Sequence, residues 1–90
     1  MKKRIAVVAR HRQDEALRMA VGLTLMDDSI DIFVLDRKLA DTENNRLNIE
    51  TMELMDMKLY TNSAENTGME YLSTENMARK FPGYDTVLPY

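Results

Sequence analysis

A single α/β domain built on a parallel sheet is the fold class predicted for this 90-residue chain, and three observations predict it. Ile5, Ala6, Val7, Val8 and Ala9 form an unbroken apolar run that is too short for a helix and stops at Arg10. A strand that is apolar on both faces is one covered on both faces, which is the habit of parallel sheets flanked by helices. A second run of the same kind, residues 30–35, follows one helix-length segment later, and strand, helix and parallel strand make a βαβ unit with a right-handed crossover. The alternation then continues to residue 90, so the expected order is βαβαβαβ. This gives one three-layer domain over residues 1–90, with a sheet of about four parallel strands and helices on both faces.

After the first strand, Asp14 and Glu15 stand where a helix's first turn welcomes acids, and the pattern predicts a helix over 14–26. Leu17, Ala20, Val21 and Thr24 share one face, with Leu23 and Leu25 widening it, as suits a helix lying on a sheet and touched by a neighbour. Gly22 costs about 1 kcal/mol relative to alanine inside a helix, and a close approach to the sheet is the expected compensation. Asp27, Asp28 and Ser29 serve as the turn into the second strand. Asp41 and Thr42 are candidate caps of a second helix over 43–56, whose core face is read as Leu47, Thr51, Met52, Leu54 and Met55. A short strand over 57–61 ends in the loop 62–68, which has room for one helical turn. Ser73 or Thr74 caps a last helix over 74–81, Arg79 and Lys80 suit its negative end, and Pro82 with Gly83 stops it. Residues 84–90 supply the final strand, an edge or one ending at Leu88, because Pro89 has no N–H to donate.

Composition narrows the functional classes. Ninety residues bury roughly 60 to 65% of the unfolded chain's surface, and so slim a margin favours self-association. The hydrophobic share of 44% and charged share of 30% are those of an ordinary soluble protein, and the expected location is the cytoplasm. No apolar run approaches the ~20 residues of a membrane span. Met1, Lys2, Lys3 and Arg4 resemble the start of a signal peptide, but the apolar run behind them is too short for one. A net charge of −3 disfavours nucleic-acid backbones as partners. With no cysteine, the chain itself carries no disulfide, thiolate zinc site or thiol chemistry, and one histidine makes a histidine metal site unexpected. Eight methionines read as filling for a core or a subunit interface. No glycine-rich phosphate loop follows the first strand, so no nucleotide cofactor is expected.

The strongest candidate site is for a small anion. Arg10, His11 and Arg12 follow the first strand, Arg37 and Lys38 the second, and Asn62 and Ser63 the third. Parallel strands deliver all seven to the carboxyl edge of the sheet, where helix N-termini add free backbone amides. The competing reading is of solvated loops that are polar because they are exposed. His11 is also a candidate base or donor, since histidine changes charge near neutrality, but no nucleophile accompanies it, and no residue is assigned a catalytic role. Asp27, Asp28 and Asp31 start a strand at the opposite edge and are not read as metal ligands. Tyr84 is expected to pack at a sheet edge, and Tyr90 to pin against another subunit or to fray.

The βα start, the segment Met57-Lys58-Leu59-Tyr60-Thr61-Asn62-Ser63-Ala64-Glu65-Asn66-Thr67-Gly68 and the ending Tyr84-Asp85-Thr86-Val87-Leu88-Pro89-Tyr90 together resemble the DsrE/DsrF-like family, which includes the TusD-type sulfur-relay subunits. The resemblance implies a compact α/β fold of flavodoxin-like topology and association into small homo- or hetero-oligomers. In catalytic members it implies a persulfide-carrying cysteine after the third strand. Tyr60 or Thr61 stands at that position here, and neither carries a persulfide. The expectation is therefore a non-catalytic, oligomeric DsrE/DsrF-like protein that serves as a partner or scaffold in sulfur handling or redox processes. The alternative is a small-anion or metabolite-binding module using the basic loops.

Overall fold

The computed structural model describes residues 3–24 and 29–90. The elements follow as β1 (Arg4–Ala9), α1 (Gln13–Thr24), β2 (Ser29–Val34), α2 (Glu43–Leu54), β3 (Lys58–Thr61), β4 (Glu70–Tyr71), α3 (Thr74–Lys80) and β5 (Thr86–Pro89). A 3-10 turn, Phe81–Gly83, lies between α3 and β5. Every neighbouring pair of strands is parallel, and the spatial order is β4-β3-β2-β1-β5. The chain is thus α/β as predicted, with β1 inside the sheet.

Crossover handedness decides the layers. The steps from β1 to β2 to β3 run one way, so right-handed crossovers put α1 and α2 on one face; the return to β5 runs the other way and puts α3 opposite. The strands' alternation then divides the core. Ile5, Val7 and Ala9 of β1 and Ile30, Ile32 and Val34 of β2 pack against Ala16, Leu17, Ala20 and Met52. Ala6, Phe33 and Tyr60 face Met77, Phe81 and Tyr84 on the other side. There the Phe33 ring lies 5.0 Å from Tyr60, 4.9 Å from Phe81 and 5.7 Å from Tyr84, the spacing at which aromatic pairs attract. Caps form where the sequence places them: Thr42 accepts from the Asn45 amide and Ser73 from the Asn76 amide.

Several expectations need correction. The sheet has a fifth strand, β4, whose two residues are too short to show a period. Residues 62–68 turn without forming a helix, and Gly68 takes φ 87°. The predicted core face of α2 is rotated away from the sheet: Met52 is buried, but Leu47 and Leu54 are 54% and 82% exposed and Met55 is exposed as well. Asn45 causes this. Its side-chain amide donates to Asp14 Oδ1 at 2.7 Å and to the Ala40 carbonyl at 2.9 Å, drawing that side of the helix inward. Among the described residues Gly22 makes no close approach, since a β-carbon there would meet nothing within 4 Å. Ser29 belongs to β2, while the predicted end of the first helix at 26 and the turn residues Asp27 and Asp28 lie outside the described residues. Among the described residues no helix is long and apolar enough to cross a membrane.

Candidate functional site

Register brings the predicted loops together. Ala9 pairs with Val34 and Val34 with Thr61, so the segments after β1, β2 and β3 leave the sheet side by side. The order of strands reverses between β1 and β5, and the crevice outside the carboxyl ends at such a reversal is where open α/β sheets hold ligands.

Tyr90 fills that crevice. Its carbonyl oxygen accepts from the backbone amides of Arg10, His11 and Arg12 at 3.4, 2.9 and 2.9 Å, while its own amide donates to the Val8 carbonyl at 2.8 Å. The Arg12 guanidinium lies 5.4 Å from the Tyr90 ring centre, and the ring packs against the core. Tyr90 is therefore fastened within its own chain and does not fray, while its ring stays partly exposed. The amides that the sequence left open for an anion are satisfied by an internal acceptor.

Arg10 joins a second cluster. Asp36 is held at φ 68°, a left-handed conformation that aspartate tolerates better than most side chains. Asn62 fixes it there: its Oδ1 accepts from the Asp36 amide at 2.7 Å, and its Nδ2 donates to Asp36 Oδ1 and to Thr74 Oγ1, each at 3.2 Å. Arg10 Nε meets Asp36 Oδ2 at 2.6 Å. The hydrogen bond from Asn62, aided by the charges of Arg10 and His11, holds the Asp36 carboxyl below the usual carboxylate range.

Tyr60 and Thr61, at the end of β3, are buried. Thr61 is 1% exposed, and its hydroxyl donates to the Val34 carbonyl at 2.8 Å while accepting from Ser63 N and Asn66 Nδ2. Buried Asn66 also accepts from the Leu39 amide at 2.8 Å and donates to the Arg37 carbonyl at 3.1 Å, tying the loop after β3 to the loop after β2. Tyr60 is buried in the aromatic cluster, with the Lys80 ammonium 4.8 Å from its ring centre. Asn62 and Ser63 thus hold loops in place, and neither lines the cleft described next.

His11, Arg12, Arg37 and Lys38 do share a shallow cleft of about 350 Å³, bounded also by Gln13 and Glu15. Arg12 pairs there with Glu15 at 3.5 Å. Sequence reasoning passed over Gln13, whose buried amide donates to the Leu35 and Arg37 carbonyls and so fixes the cleft's far wall. It also passed over Asp36 and Asn66. The available signals were an aspartate directly after an apolar strand and an asparagine in a Thr-Gly turn, both loop formers. Asp31, at the other end of the sheet, accepts a hydrogen bond from the Tyr84 hydroxyl. Among the described residues no three His, Asp or Glu side chains gather as metal ligands would.

Compared with models of protein families, with curated proteins and with solved structures, the chain matches none of them.

Proposed function

We propose that this chain is a non-catalytic DsrE/DsrF-like association subunit, a partner or scaffold in sulfur handling or a related redox process. The observation that supports it best is the state of Tyr60 and Thr61, one of which would hold the persulfide cysteine on the family resemblance: both are buried, and Thr61 is the more deeply so. Thr61 is sealed from solvent and its hydroxyl is engaged on all sides. A site of that kind offers structure, not transfer chemistry. Association is supported by the large apolar side chains left on the outer helical layer, Met19, Leu47, Leu54 and Met55. Light scattering after size exclusion, at tens of micromolar and above, is expected to show an assembly larger than one chain. A strictly monomeric mass throughout overturns the reading.

A second reading, a small-anion module, is favoured by the shared cleft of His11, Arg12, Arg37 and Lys38. A ligand at about 100 times its dissociation constant adds ~2.7 kcal/mol of stability. Sulfate, phosphate or a thiol acid should therefore raise the melting temperature of the wild type and not of the Arg12→Ala, Arg37→Ala double variant. No shift, or a shift that survives the double substitution, removes this reading.

A further inference from the structure

We infer that the outer face of α2 is a two-fold interface with a second copy of this chain. The inference rests on the association reading and assigns it a surface. Asn45 and Met52 set the buried side of α2, and Leu47 and Leu54 each follow two residues later, about 200° round the helix. Both leucines therefore point straight away from the sheet, seven residues and about 10 Å apart along the axis. Leu54, at 82% exposure, is a bare knob, and beside Leu47 lies a cleft of about 450 Å³ between α1 and α2 whose other walls are polar, Asp14, Glu15, Arg18, Asn44 and Asn48 among them.

An antiparallel second copy matches these features to one another. Laid across a two-fold axis midway between the leucines, Leu54 of each chain packs on Leu47 of the other at the rim of the polar cleft, not inside it. Charge fits the same register. Arg46 and Glu53 repeat the seven-residue spacing one position earlier, so both run along one flank, and like flanks meet in an antiparallel pair. In that register Arg46 of each copy lies about 3 Å along the axis from Glu53 of the other, within reach of its long side chain. Within its own chain Arg46 has only a loose, exposed pairing with Asp41 at 3.5 Å, which leaves it able to turn outward. Glu50 falls near the axis and faces its own symmetry mate, so the pair forms against one repulsion.

Sedimentation analysis of the full chain between about 5 and 500 µM tests the assignment, since a contact of two short helices is small and expected to be weak. The wild type should approach twice the monomer mass, Leu54→Glu should remain monomeric at every concentration with an unchanged circular dichroism spectrum, and Glu50→Gln should tighten the dimer several-fold. Arg46→Glu should weaken it about ten-fold or more, and adding Glu53→Arg should restore it, because the swap re-forms both cross-pairs. If the wild type assembles and Leu54→Glu assembles equally well, or the charge swap fails to restore, this interface is wrong while the association reading stands. If the wild type never exceeds monomer mass, both fall.

Discussion

The Tyr84 hydroxyl donates to Asp31 Oδ2 at 2.5 Å, passing over the small side of Ala6 to join the approach to β5 with β2 across the intervening strand. Burial first, and this bond to a carboxylate second, push the Tyr84 phenol above its ordinary value. An unfolded tyrosine titrates near ~10, so the stabilisation is fully present below that pH and is lost as pH rises above it. Tyr84→Phe should cost about 1 kcal/mol at neutral pH and should flatten the loss of stability between roughly pH 9.5 and 11. Urea denaturation at several pH values reads both effects.

Asn62→Ala should raise the Asp36 carboxyl toward the ordinary range, because the largest cause of its lowering is removed. Carbon-detected NMR titration of Asp36 checks this. In the wild type the depressed carboxyl stabilises the fold above the unfolded value of ~3.9, and that contribution disappears as pH falls through the lower folded value. The variant should show a weaker dependence over the same acidic window.

Asn66→Ala leaves the Leu39 amide without its acceptor and takes one hydrogen bond each from the Arg37 carbonyl and the Thr61 hydroxyl, which keep their other partners. Leaving buried polar groups unpaired costs about 1–3 kcal/mol, so the midpoint of urea unfolding should fall accordingly. Amides in both joined loops should exchange faster with deuterium.

Gly22→Ala is expected to stabilise the protein by about 0.5–1 kcal/mol. The position is inside α1, exposed, and surrounded by open space among the described residues. Thermal unfolding measures the gain; a loss would mean that the backbone there does touch something.

Shortening the chain to end at Pro89 takes away the acceptor shared by the Arg10, His11 and Arg12 amides. Hydrogen exchange at those three amides should quicken by an order of magnitude or more, with stability falling by about 1–2 kcal/mol.

Features that depend on neighbouring residues were readable in the sequence. β1 announced itself by an apolar run that only a doubly covered strand explains, and Thr42 and Ser73 by cap chemistry within three residues. What was not readable depended on distant partners. The rotation of α2 follows from Asn45 finding Asp14, 31 residues away in the chain, against an apolar pattern that pointed Leu47 and Leu54 inward. Likewise, the basic loops were correctly gathered at one edge, but nothing local indicates that Asp36 neutralises Arg10 or that Tyr90 answers the amides of the first turn.

That last contact couples distant parts of the molecule. Since one oxygen serves three donors, release of the edge strand β5 deprives all three amides of the turn ahead of α1 of their acceptor at once. Any molecule seeking the crevice between β1 and β5 competes with the protein's own main chain, and its apparent affinity is lowered by the rarity of the opened form. Occupancy of that crevice would accordingly register as release of the last strand, visible at Val87 and Leu88 before it is visible at the basic side chains.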